Sequence, residues 1–242
     1  MKKTMKRMIA LMIMAAVIMT SAVPTLAGVS YDKSRTYYLS PSRNILGDVN
    51  VWEMTGSQSL KKANVKSSNP SVAKLLEVSN STYKSAYYSD SSTHTYKSGT
   101  IVCNLNKPGT STISFKIGNK TYKSKIKVLK YVNPVSSLTI TGVNGGKTIH
   151  KVFNKKNETD YKISKAVSNA KVKVKARSGW YISSVRVRRG TKYYSSGENF
   201  YHNTALSTLT VRAAKIAKND SIEINMRNKS NDGAIELSLV LR

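Results

Sequence analysis

Residues 106–130, NKPGTSTISFKIGNKTYKSKIKVLK, constrain the chain more than any other stretch. Ile113, Phe115 and Ile117 alternate with Thr112, Ser114 and Lys116. Gly118-Asn119-Lys120 breaks the run, and Tyr122 to Leu129 resumes it. Period-two alternation around a Gly/Asn break reads as two antiparallel strands joined by a turn. Pro108-Gly109 punctuates the start of the first strand.

The same alternation recurs along the chain. Thr36 to Leu39 and Asp48 to Met54 read as strands, separated by the turn residues Ser40-Pro41-Ser42 and Gly47-Asp48. Trp52 in the second of these is expected in the core. Beyond Tyr131-Val132-Asn133-Pro134, the pairs Leu138/Ile140, Val172/Val174, Val185/Val187, Leu209/Val211, Ile222/Ile224 and Leu237/Leu239 each alternate with polar residues. Gly145-Gly146, Ser178-Gly179, Arg189-Gly190, Asn219-Asp220 and Asn231-Asp232-Gly233 mark turns between them. Residues 204–217 read as strand despite their alanines, and Phe153, Tyr161 and Trp180 as core aromatics. Many short strands at this spacing predict an all-β chain of two tandem β-sandwich domains, residues 28–132 and 133–242.

Val65 ends a strand in this reading, Ser67-Ser68-Asn69-Pro70 turns, and Val72, Ala73 and Leu75 re-enter the core. With Gly99-Thr100 to Leu105, Gly109-Thr110 to Ile113 and Ile126-Lys127-Val128, this segment resembles the group 2 bacterial immunoglobulin-like domain over about residues 30–131. The resemblance implies an Ig-like first sandwich. It implies little about activity, because the family serves as spacer, adhesin and carbohydrate-associated module alike. The second half more distantly resembles domains that follow such modules in secreted Firmicute proteins. Residues 78–99 are longer than the family's usual link. They interleave Tyr83, Tyr87, Tyr88 and Tyr96 with Ser, Thr and Lys. They form either an extended hairpin with tyrosines packed on the sheet, or a binding loop whose rings stack on sugars.

Residues 1–27 read as a secretory signal peptide. Lys2, Lys3, Lys6 and Arg7 lead, Met8 to Val23 is apolar, and Thr25-Leu26-Ala27 offers a cleavage site. No later stretch is apolar enough to cross a membrane. The expected location is therefore extracellular, with any wall association non-covalent. The lone Cys103 cannot form an internal disulfide and reads as a small core residue. Of 40 Lys+Arg and 12 Asp+Glu, the leader holds four basic groups, which leaves the mature chain at +24. That excess favours polyanionic partners such as teichoic acid, anionic polysaccharide or nucleic acid.

Three lysine or arginine ladders share the alternation. Lys171, Lys173, Lys175 and Arg177 form one, Arg186 and Arg188 (with Arg189) a second, and Lys123, Lys125 and Lys127 a third. Same-face residues of a strand lie about 6.7 Å apart. Such a row can meet successive anionic groups, or simply be a solvated face that discourages edge association. Enzymatic motifs are missing. His94, His150 and His202 have no metal-ligand spacing, and His94 and His202 read as loop residues. Glu158 and Asp160 sit in a Lys/Asn-rich stretch read as loop. Asp220 and Asp232-Gly233 read as turn formers rather than calcium ligands. No cofactor or metal is expected. The sequence predicts a non-catalytic adhesive or structural module that binds polyanions or glycans, with an extracellular nucleic-acid binder as the alternative.

Overall fold

The computed structural model describes residues 29–86, 93–193 and 205–242. Among them there is no α-helix, only strands and three short 3-10 turns. Among the described residues no helix is long and apolar enough to cross a membrane. The leader, Tyr87, Tyr88 and His202 lie outside the described residues.

The hairpin forms as read. Strands β7 (Gly109–Ile117) and β8 (Lys120–Leu129) pair antiparallel from Gly109↔Val128 to Ile117↔Lys120, leaving a two-residue loop. Gly118 opens that loop at φ 57°, where a glycine carries no steric penalty. Ile113, Phe115 and Ile117 face inward from β7, Ile126 and Val128 from β8. Phe115 stacks on Tyr122 at 5.5 Å, and Tyr31 closes edge-on at 5.6 Å.

Six strands precede the hairpin: β1 (Ser30–Tyr31), β2 (Ser34–Tyr38), β3 (Ile45–Met54), β4 (Val65–Ser67), β5 (Ala73–Ala86) and β6 (Thr93–Leu105). They complete two sheets, ordered β1-β3-β6-β5 and β2-β8-β7-β4. In immunoglobulin lettering these are A-B-E-D and G-F-C, with the leading strand crossing over to pair in parallel with G. Val49, Val51, Ile101 and Cys103 meet Ile113, Phe115, Ile126 and Val128 in one core. The Ser-Ser-Asn-Pro turn is held from beneath. Ser67 Oγ donates to the Ala73 carbonyl at 2.6 Å, and the buried Ser111 hydroxyl accepts from Asn69 N–H at 3.1 Å. Val65 opens β4 rather than ending a strand.

The second half repeats this wiring without repeating the sequence. Its strands are β9 (Val135–Ile140), β10 (Glu158–Tyr161), β11 (Val167–Ala176), β12 (Trp180–Arg189), β13 (Lys192–Tyr193), β14 (Thr208–Ile216), β15 (Asp220–Asn228) and β16 (Ala234–Leu241). The sheets are β14-β11-β9 and β10-β16-β15-β12-β13. These correspond to E-B-A and A′-G-F-C-C′, again with a parallel pair, β10 with β16, next to the last strand. Leu138, Ile140, Val172, Val174 and Val211 face Ile222, Ile224, Met226, Leu237 and Leu239 across the core.

Three further expectations are corrected. Trp52 is 38% exposed, because Val49 and Val51 face the core and strand alternation turns the next residue outward; a bulge between Val51 and Met54, with Glu53 at φ 62°, then returns Met54 to the core. His94 belongs to β6, not a loop. Glu158 and Asp160 lie in β10, held by backbone pairing with Ser238 and Val240.

The halves meet where the outward face of the first sandwich turns apolar. Along that face of β8, Lys123, Lys125 and Lys127 are exposed, but the next outward residue, Leu129, packs with Tyr38 of β2 against the second core. Tyr38 tilts over Trp180 at 5.1 Å, and its hydroxyl accepts from Asn231 at 3.3 Å. Gly233 is pressed to the same ring, where an added Cβ would fall 2.8 Å from Tyr38 Cε2. Around this contact Ser40 donates to Asn157 at 2.6 Å, and Arg43 forks between Glu158 and Glu236 at 3.3 and 3.0 Å.

Cys103 is wholly buried, and burial pushes its thiol up to about 11. A small alkylating reagent at neutral pH is expected to label it only as fast as the first sandwich opens. Labelling at the rate of a free thiol in native buffer would show that this core is not closed.

Candidate basic faces and the tyrosine hairpin

The β14-β11-β9 sheet presents an ordered outward face. β11 is the middle strand, and its apolar Val172 and Val174 point into the core, so Lys171, Lys173 and Lys175 point out. Pairing sets their neighbours. On β14, Arg212, Thr210 and Thr208 stand opposite the three lysines in turn. On β9, Thr139 and Ser137 stand opposite Lys173 and Lys175, and Thr141 donates its backbone N–H to the Lys171 carbonyl at 3.0 Å. A column of three ammonium groups therefore runs between hydroxyls on β9 and, on β14, two threonines followed by Arg212. Strands about 4.8 Å apart and same-face residues about 6.7 Å apart set the grid.

No Asp or Glu occurs on β9, β11 or β14. The described acids of the second half lie on or beside the opposite sheet: Glu158 and Asp160 on β10, Asp220 and Glu223 on β15, Asp232 in the next turn and Glu236 on β16. Each is paired with an arginine: Asp220 with Arg189, Glu223 with Arg188, Asp232 with Arg227, Asp160 with Arg242, Glu158 and Glu236 with Arg43. Lys171, Lys173 and Lys175 form no ion pair among the described residues. The fold thus confines this half's described carboxylates to one sheet and leaves the other with no described acid.

The second predicted ladder is divided from the first. Arg186 and Arg188 are on β12, in the opposite sheet. Arg188 is bound to Glu223 at 3.3 Å, and Arg186 lies over the Tyr193 ring at 5.3 Å. Arg177, just past the end of β11, donates Nε–H to the Val135 carbonyl at 3.2 Å. It sits near the grid but is tied to the backbone.

The third ladder repeats the grid in the first sandwich. Lys123, Lys125 and Lys127 stand opposite Ser114, Thr112 and Thr110 on β7. Ser34 and Thr36 of β2 stand beside Lys125 and Lys127 on the other side. Again a lysine column lies between hydroxyls. The ladders themselves are visible as alternation in sequence. Of their hydroxyl borders only the one on β7 is, through the adjacent hairpin; β9, β14 and β2 lie tens of residues from the lysines they flank.

Within residues 78–99, the described residues 78–86 and 93–99 form an extended arm of paired β5 and β6, out to Ala86↔Thr93. Tyr83 and Tyr96 are a cross-strand pair, stacked at 5.6 Å, with Tyr83 41% exposed. Each ring spends one face on the other.

Among the described residues, no three His, Cys, Asp or Glu side chains stand together as a metal site requires. Asp32 and Asp48 share one guanidinium, each 3.1 Å from Arg35. The Tyr37 hydroxyl joins them at 2.8 Å from Asp48 Oδ1, and burial holds its phenol well above the ordinary value. This cluster fastens the crossing β2 to β3. His150 lies 3.0 Å from Thr148 Oγ1, its basicity lowered by burial and by Arg177 and Lys151.

No family model matches the chain. No curated protein matches it either. Solved structures do match. Domains 5–6 of the S-layer protein SbsC are 16% identical, over 88% of this chain and 96% of that one, at a TM-score of 0.29. The Yersinia pseudotuberculosis adhesin InvE is 13% identical, at a TM-score of 0.25, with 88% of this chain spanning 60% of the adhesin chain. The titin Ig tandem A164–A165 is 12% identical, over 89% and 96%, at a TM-score of 0.24. Strand order, rather than these distant likenesses, establishes the immunoglobulin wiring of both halves.

Proposed function

We propose that the chain is a non-catalytic, extracellular or cell-surface tandem of Ig-like domains that binds anionic surface polymers through its basic sheet faces. The observation that carries this reading is the carboxylate-free face of β14-β11-β9, with Lys171, Lys173 and Lys175 unpaired by any described acid. A folded surface with paired charges on one sheet and, among the described residues, cations without acids on the other favours an electrostatic potential of one sign over that face. The lysine column of β8 adds a second such surface in the first sandwich. The reading is further supported by the closed cores, which bury the one thiol and leave side chains at the surface to do the work.

The test is co-sedimentation of the protein with isolated bacterial walls, with and without their anionic polymers, across a salt series. Binding is expected only to walls that keep the polymers, and is expected to weaken as salt rises. Replacing Lys171, Lys173 and Lys175 with Ser removes three cations without touching the core. At about 1 kcal/mol per lysine near an anionic surface, affinity should fall by roughly a hundredfold. The log–log salt slope should shrink by about 2. Undiminished binding by the triple variant would refute the role given to this face.

A further inference from the structure

The grid also specifies the repeat of the polymer, an inference that rests on the polyanion reading above. Two residues of a strand contain six backbone bonds and advance about 6.7 Å. A three-carbon polyol linked through phosphodiesters likewise has six backbone bonds from one phosphorus to the next. Extended, it advances by about the same distance. Laid along β11, such a chain brings successive phosphates to Lys171, Lys173 and Lys175 in register. Lysines alone would not enforce that match, because their long side chains tolerate misplacement. The hydroxyls of Thr139 and Thr210 flank Lys173 on both sides, and their reach is short. They can bond phosphate oxygens or polyol hydroxyls only where the repeat keeps step.

We infer that the β14-β11-β9 face is a binding site for a linear polyol phosphate of the glycerol phosphate type, lying parallel to β11. A five-carbon polyol has eight bonds per repeat and is about a third longer, so it drifts out of step by the third lysine. Nucleic acid has a six-bond phosphodiester repeat as well. Its recognition as a single strand relies on aromatic platforms for the bases, and no residue of this grid is aromatic.

The deciding experiment is titration of the protein with poly(glycerol phosphate), poly(ribitol phosphate) and oligothymidylate of matched charge number at one ionic strength. The glycerol polymer should bind about tenfold more tightly than the ribitol polymer, the yield of one or two net hydrogen bonds. The double variant Thr139→Val, Thr210→Val keeps strand propensity and every charge. It should erase that preference while leaving the salt slope unchanged. Equal affinity for all three polymers would overturn the repeat match and leave general polyanion binding standing. Tighter binding of oligothymidylate would overturn it in favour of nucleic acid. Failure to bind any of them would remove the polyanion reading together with this one.

Discussion

Replacing Tyr38 by Ala is expected to destabilise the second sandwich, although Tyr38 is part of a strand of the first. Its ring is 8% exposed and belongs to the second core, against Trp180 at 5.1 Å. Truncating a buried aromatic costs about 3–5 kcal/mol, because the lost contacts leave a cavity that the surroundings fill only partly. The walls of this cavity are Trp180 and the turn at Gly233, both in the second half. Hydrogen exchange should therefore show reduced protection in β12 and β16, with β3 and β6 little changed. Tyr38→Phe keeps the ring and loses only a long hydrogen bond, so it should cost about 1 kcal/mol. Loss of protection confined to the first sandwich would mean that the contact carries no stability across the junction.

Arg189→Ala should be nearly as damaging, and for a different reason. The Asp220 side chain is 2% exposed, while that of Arg189 is 43% exposed. The guanidinium reaches both carboxylate oxygens at 2.6 and 2.7 Å, and Ala217 N–H adds a third bond at 2.8 Å. Removing the arginine strands a buried negative charge, a loss of about 3–5 kcal/mol. Asp220→Asn is expected to cost less, since the arginine left behind can be hydrated. Urea unfolding of both variants tests the asymmetry. Equal losses would show that the pair is worth only its mutual attraction, with no penalty from burial.

Side-chain alternation revealed most of the strands, because a half-buried strand writes its own periodicity. It failed where position depends on something other than a strand's two faces. Met54 faces the core against the parity set by Val49 and Val51, because of a bulge at Glu53 that no local pattern shows. Glu158-Thr159-Asp160-Tyr161 has no apolar alternation at all, yet forms a strand, because its register is fixed by backbone bonds to β16. The immunoglobulin wiring of the second half is a property of pairing order and leaves no periodic trace. At the candidate sites, outward lysines were legible, but their fates were not. Arg188 looks as free as Lys173 in sequence, and only the fold sets Glu223 beside it and threonines beside Lys173. Likewise the change from Lys127 to Leu129 on the outward face of β8 is visible in sequence, but that Leu129 meets the other half is not.

The parallel pairing of β2 with β8 has a mechanical meaning. Tension drawing Ser34 and Leu129 apart along the strand axis acts on five register pairs, from Ser34↔Lys125 to Tyr38↔Leu129, as a lap joint under shear. The hydrogen bonds then share the load and yield together, whereas an antiparallel edge strand pulled from one end peels one bond at a time. β10 and β16 form a similar joint of four pairs. Single-molecule extension of the chain should show discrete high-force ruptures, and Tyr37→Pro, which removes a ladder N–H facing β8, should abolish the one in the first half. A smooth, low-force extension would mean that neither joint bears the load. On the proposed function, a chain of this build would hold its shape while a polymer bound to its lysine faces pulled on it.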